Sequence, residues 1–155
     1  WDVKKQVDVI KRELGWKGDQ VENVPPEYNY EKIECYMQGV RDYIKYIKRG
    51  YTRPTHLASI DIRHNRLTRG DGEKIIEQYE GRRPPSLDLF LSFVGLTEDE
   101  FTEIVRSHVV SPHRYNPDVI QQGDKLADHD RWSVDGAMPR EEAVRFVGDW
   151  KGRNT

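Results

Sequence analysis

The chain reads as all-α, a small array of about six to seven helices. Three observations predict this. Apolar residues recur at intervals of three and four, as in Val3, Val7, Ile10 and Leu14. Glycines stand where such runs stop, at Gly15, Gly50, Gly81 and Gly95, the position in which a helix end favours a left-handed residue. No stretch alternates polar with apolar residues over the length of a strand.

Taken in order, residues 2–14 form the first amphipathic helix, closed by Gly15. A loop with Pro25 and Pro26 leads to the strongest helix, over 30–49, whose residues Ile33, Met37, Val40, Ile44 and Ile47 make one buried stripe. Cys35 lies beside that stripe and reads as a small core residue. Arg53, Pro54 and Thr55 break the chain before a short helix over 55–65. There Leu57, Ile60, Asp61 and His64 share a face, and Leu57 and Ile60 are expected to pack on Ile44 and Ile47. Thr68 and Asp71 have capping-box spacing before Ile75, Ile76 and Tyr79; Gly70 and Gly72 weaken that first turn. Ser86 caps a helix with Leu87, Phe90, Leu91 and Val94. Thr97 and Glu100 form another capping box ahead of Phe101, Ile104, Val105 and His108. Pro, Gly and Asp crowd the segment 109–138, which is expected to be irregular. Pro139 opens a last helix over 140–149. The chain therefore divides into a helical domain, 1–108, an irregular segment, 109–138, and a terminal helix with its tail, 139–155.

Composition limits the function. With 155 residues, 35% hydrophobic and 34% charged, and a mean hydropathy of −0.89, the chain is polar for one domain. Its periodicity nonetheless supports a modest core rather than disorder. A net charge of −2 disfavours nonspecific nucleic-acid binding by the whole surface. The single cysteine, Cys35, cannot close an internal disulfide, so nothing calls for an oxidising compartment. No apolar run is long enough to span a bilayer and no signal peptide opens the chain, so a cytoplasmic protein is expected.

Against that acidic background stands a cationic island, YIKYIKRGYTRPTHLASIDIRHNRLTR at 43–69. Lys45, Lys48, Arg53, Ser59, Arg63 and Arg66 are the candidate phosphate or substrate ligands, because guanidinium groups and free helix N–H donors both suit an anion. For Arg41, Lys45 and Lys48 the competing reading is a solvated helix face. His56 and Asp61 are the candidate catalytic pair, orienting a substrate amide or moving a proton. The competing reading of Asp61 is a salt bridge to Arg63, Arg66 or Arg41, since a carboxylate on a packing face needs a partner. No metal is expected: His108, His113, Asp128, His129 and Asp130 follow no zinc spacing. Residues 86–105 have the outline of a helix-turn-helix, yet Glu98, Asp99, Glu100 and Glu103 on the second helix would repel phosphates.

Three segments carry a resemblance: WDVKKQVDVIKRELGW at 1–16, KIECYMQGVRDYIKYIKRGYTRPTHLASIDIRHNRLTR at 32–69, and EFTEIV at 100–105. Together they resemble the C-terminal part of bacterial N-acetyl sugar amidotransferases, enzymes of lipopolysaccharide and O-antigen biosynthesis in the PP-loop ATP pyrophosphatase superfamily. The resemblance implies the C-terminal portion of a larger α/β enzyme. That enzyme would convert an acetamido group of a nucleotide-linked sugar to an acetamidino group, with ATP and Mg2+ as cofactors and a glutaminase subunit supplying ammonia. Neither nucleic acid nor membrane is an implied partner. The family's N-terminal Ser-Gly-Gly-x-Asp-Ser loop and paired Cys-x-x-Cys motifs do not occur here, so the chain is expected to be a fragment that does not hydrolyse ATP alone. In this reading His56, Ser59, Asp61 and Arg63 lie in the best-matching segment. The alternatives are a non-enzymatic helical interaction module and, less favoured by charge, a nucleic-acid binder.

Overall fold

The computed structural model describes residues 2–126. Among these it is all-α: α1 Val3–Leu14, α2 Gln38–Arg49, α3 Arg53–Arg63, α4 Arg69–Tyr79, α5 Ser86–Val94 and α6 Glu98–Arg106. Short 3-10 turns occur at Pro26–Tyr28 and Pro117–Val119, and the one bridge between extended residues joins Arg83 to Gln122. The helix expected at 140–149 lies outside the described residues.

Local chemistry explains most boundaries. Asp2 accepts the Lys4 N–H at the start of α1, and Gly15, with φ 63°, closes it. Gly50 (φ 79°) and Gly95 (φ 68°) stop α2 and α5 in the same way. Thr68 accepts the Asp71 N–H to open α4. Thr97 and Glu100 make the complete reciprocal capping box of α6.

Two apolar clusters hold these elements. Val40, Tyr43 and Ile47 of α2 pack with Leu87 and Leu91 of α5 and with Phe101 and Val105 of α6. Ile47 and Leu87 are fully buried, at 0% exposure. Val109, Tyr115 and Ile120 fold back onto this cluster, so the irregular segment after α6 helps close the core. The second cluster, Val21, Val24, Tyr28 and Leu57, sits under the early loop. Helix α3 packs along α4, and the close approach is made at Gly72, where an added Cβ would lie 2.9 Å from Cδ1 of Ile62. The glycine that weakens the first turn of α4 is what lets the two helices touch.

Several expectations are corrected. The long helix does not start at residue 30: Lys32 takes φ 56°, a conformation outside helix geometry, and α2 begins only at Gln38. The cause is a divided stripe. Ile33 packs on the early-loop cluster with Leu57, whereas Met37, Ile44 and Ile47 belong to the α2 cluster. The expected contact of Ile44 and Ile47 with Leu57 and Ile60 is therefore replaced by two separate cores. Cys35 falls in the non-helical stretch and is exposed. Helix α3 starts at Arg53, with Pro54 inside its first turn where the missing N–H costs nothing. Ser86 is the first residue of α5 rather than its cap, and it is fully buried. Of the α1 stripe only Val7 is buried, and Leu14 is 77% exposed. His108 lies beyond the end of α6, and Ile104 is exposed.

Truncating Ile47 to Ala should cost about 2–5 kcal/mol of unfolding free energy. Leu14→Ala should stay within about 0.5 kcal/mol. Chemical denaturation measures both. Equal losses at the two positions would mean that the α2 cluster is not the core.

Candidate functional site

The Arg-Pro-Thr turn opens α3 without a capping side chain of its own. Its first-turn donors turn instead to Glu80, just past the end of α4. The Thr55 N–H donates to Oε2 of Glu80 at 3.1 Å, and the Thr55 and Thr52 hydroxyls donate to the same carboxylate. The positive end of α3, where a phosphate would be favoured, is thus already filled by an internal anion. The start of α5 is treated likewise. Buried Glu22 accepts the Ser86 N–H at 2.8 Å and the Ser86 hydroxyl.

Arg53 is buried. Its Nε donates to Oδ2 of Asp42 at 2.8 Å, and its Nη1 to the Glu31 carbonyl at 3.0 Å. The guanidinium therefore clamps the 31–42 stretch onto α3 and points away from solvent. Arg83, outside the island, does the same elsewhere. It is bidentate to Glu98 at 2.8 and 2.9 Å and reaches Asp88 at 2.6 Å, which ties α5 to α6. The Glu98 carboxylate holds its proton affinity up, more than burial lowers it.

Asp61 is 3% exposed and sits at a junction of three elements. Lys4 of α1 donates to Oδ2 at 2.8 Å, the Tyr28 hydroxyl to Oδ2 at 2.9 Å, and Arg66 to Oδ1 at 2.9 Å. Arg66 continues to Asp2 at 2.9 Å, so two ion pairs fasten α1 across the end of α3. Burial alone would raise the Asp61 pKa; the hydrogen bonds from Lys4, Arg66 and Tyr28 outweigh it, and the carboxyl stays below its usual range. Of the arginines considered as its partner, Arg66 is the one in contact.

What remains outward is a narrower set. His56, Ser59 and Arg63, at spacings of three and four, line the exposed face of α3. Ser59 donates to the Thr55 carbonyl at 2.7 Å, and Arg63 makes no hydrogen bond or ion pair among the described residues. Lys45 lies with Nζ 4.7 Å from the Tyr51 ring centroid, and Lys48, half-buried, accepts the Val110 N–H through its carbonyl. The fold thus divides the candidate residues: Arg53 and Asp61 are buried, Arg66 is exposed but held by Asp61 and Asp2, and His56, Ser59 and Arg63 face out.

Beside this face, between the first turn of α1, the Tyr28–Tyr30 loop and α3, lies a cleft of about 410 Å³. Its walls include Val3, Tyr28, Tyr30, Leu57 and Ile60, and Arg63 and His64 reach its rim. A wider groove of about 920 Å³ runs between α6 and the 115–122 segment, bordered by Glu98, Asp99 and Glu103. Of the 43–69 segment only Tyr43 lines it, and none of the candidate ligand residues does. Among the described residues no group of three or more His, Cys, Asp or Glu is placed to hold a metal ion.

Sequence reasoning did not single out Lys4, Tyr28, Glu22, Asp42 or Glu80. Lys4 and Asp61 are 57 positions apart, so no local periodicity relates them. The signal that could have found Glu80 was the uncapped start of α3, which requires some acceptor nearby.

A family model described as "LPS biosynthesis protein WbpG-like, C-terminal domain" matches residues 8–127. Comparisons with curated proteins and with solved structures returned no significant match.

Asp61→Asn removes one side of a buried pair and should cost about 3–5 kcal/mol at pH 7. Because the folded pKa is depressed, the contribution of Asp61 is complete above its unfolded value of about 3.9 and is lost as pH falls through the lower folded value. The variant should therefore lose less stability than wild type between pH 5 and pH 2 (about the span over which such a group titrates). Denaturation midpoints measured across that range would contradict the assignment if the two profiles ran parallel.

Proposed function

The chain belongs to the family of WbpG-like lipopolysaccharide biosynthesis proteins, as its C-terminal domain, and on that premise we propose that it is the helical part of an ATP-dependent amidotransferase acting on the acetamido group of a nucleotide-linked sugar. In this reading the amide oxygen bonds to the α-phosphorus of ATP as pyrophosphate leaves; the ammonia nitrogen then forms a bond to the amide carbon, the C–O bond breaks, and the oxygen departs on AMP. Activation is required because an amide oxygen leaves poorly, and cations offset the charge that develops.

The observation that carries the proposal is the outer face of α3. His56, Ser59 and Arg63 stand together, exposed and without a carboxylate among them, in a helix whose inner face is fixed by Leu57, Ala58 and Asp61. A planar fork such as Arg63 matches a phosphate through two parallel hydrogen bonds. His56 can hydrogen-bond the sugar amide and accept the proton that the attacking ammonia loses. Asp61, Arg66 and Arg53 position this face by locking α3 against α1 and the 31–42 stretch. Lys45 and Lys48 add positive field on α2 rather than direct contacts.

The N-terminus of α3, the place where helix N–H donors would favour ATP phosphates, is filled by Glu80. The proposal therefore assigns ATP and Mg2+ to another part of the protein, and ammonia to a glutaminase partner. A second reading, a non-catalytic interaction module, draws on the exposed Val3, Ile10 and Leu14 of α1.

The test is an assay of the full-length protein with ATP, Mg2+, ammonium and an N-acetylated nucleotide sugar. AMP release coupled to exchange of the amide oxygen for nitrogen, read by mass spectrometry, is expected. His56→Ala should lower kcat by about a hundredfold while the fold survives. If no AMP forms with any such sugar, or if His56→Ala turns over as wild type does, the module reading replaces the enzyme here.

A further inference from the structure

The cleft between α1 and α3 has a character that the amidation reading does not assign. Its inner walls are apolar and aromatic, from Val3, Tyr30, Leu57 and Ile60. The charged groups that line it are largely neutralised within the protein. Lys4 and Arg66 are paired with Asp61 and Asp2, and Glu31 stands 3.8 Å from Arg53. Arg63 at the rim is the exception, with no ion pair among the described residues. Tyr30 is half-buried, its ring 6.2 Å from that of Tyr28, and its hydroxyl makes no hydrogen bond among the described residues. Burial, with the Asp61 charge second, pushes that hydroxyl up to about 12, so it remains a neutral donor at any working pH.

We propose that this cleft is a binding site for a glycosyl phosphate, the sugar ring lying against Tyr30 and the apolar wall and the phosphate meeting Arg63. Its volume of about 410 Å³ falls in the range of small-molecule sites, roughly 300–1,000 Å³. A wall that is apolar with one free phenolic donor suits a pyranose, whose C–H faces are apolar and whose rim carries hydroxyls. A single free guanidinium suits one phosphate group and no more. A purely anionic ligand would gain from Arg63 but would leave the aromatic wall wet, and a neutral sugar would leave Arg63 without a partner. The inference rests on the amidotransferase reading only in supplying a sugar-linked phosphate as substrate; the chemistry of the cleft does not depend on the reaction.

Binding is measured on the full chain by calorimetry, without ATP, using N-acetylglucosamine 1-phosphate, free N-acetylglucosamine, inorganic phosphate and uridine monophosphate as separate probes. The glycosyl phosphate should bind most tightly. Arg63→Ala, an exposed position, should weaken it about tenfold and bring it to the level of the free sugar. Tyr30→Phe, which keeps the ring, should weaken both sugar probes and leave inorganic phosphate unchanged. Tighter binding of uridine monophosphate than of the glycosyl phosphate would assign the cleft to a base and overturn the proposal. So would equal affinities of wild type and Arg63→Ala, or binding of inorganic phosphate as tight as that of the glycosyl phosphate. Failure of amidation with binding intact would remove the reaction and keep the cleft. Amidation that survives both variants with unchanged KM would remove the cleft and keep the reaction.

Discussion

Four carboxylates, Asp42, Asp61, Glu22 and Glu80, hold the elements of this domain together from inside. Each meets a donor that the fold could not leave unpaired: the Arg53 guanidinium, the Lys4 and Arg66 cations, the first turn of α5, the first turn of α3. A buried pair of this kind adds little net stability over an apolar substitute, because desolvation offsets the attraction, but removing one partner costs about 3–5 kcal/mol. Their effect is to specify which surfaces meet. Asp61 does so most broadly, since it joins α1, the Tyr28 loop and the end of α3 at one point.

That constraint decides which cations remain for a ligand. The sequence crowds basic residues into 43–69 with Asp61 as the one acid among them, which pairs with Arg66, and the other acids that meet the island come from elsewhere in the chain. Asp42 precedes the island, Glu80 follows it, and Asp2 reaches back over α3 through Arg66. The result is a helix with two distinct sides. The inner side of α3 is fixed by Leu57, Ala58 and Asp61, and the outer side offers His56, Ser59 and Arg63 from a rigid support. A site on such a helix keeps its geometry better than one on a loop.

Where periodicity and capping chemistry act locally, the fold was legible. The Thr97–Glu100 capping box, the glycine stops of α1, α2 and α5 and the all-α class follow from residues a few positions apart. The long helix failed because Ile33 continues the spacing of Ile44 and Ile47 while packing in a different cluster, and spacing cannot tell one core from two. Ser86 looked like a cap because a serine before an apolar run often is one; Glu22, 64 positions away, takes that role instead. For the site, the island was visible but its partition was not. Whether Arg53 points inward or Arg63 outward depends on pairings across the chain, with Asp42 and with none respectively.

The claim that internal carboxylates fix the inward cations is tested most directly by a double-mutant cycle on Arg53 and Asp42, the buried clamp at the centre of the island. Unfolding free energies would be measured for wild type, Arg53→Ala, Asp42→Ala and the double variant. The account predicts that the two losses are strongly non-additive, with a coupling of about 1–3 kcal/mol. Losses that add within about 0.5 kcal/mol would show that Arg53 is not held by Asp42, and would return it to the set of cations free to meet a ligand.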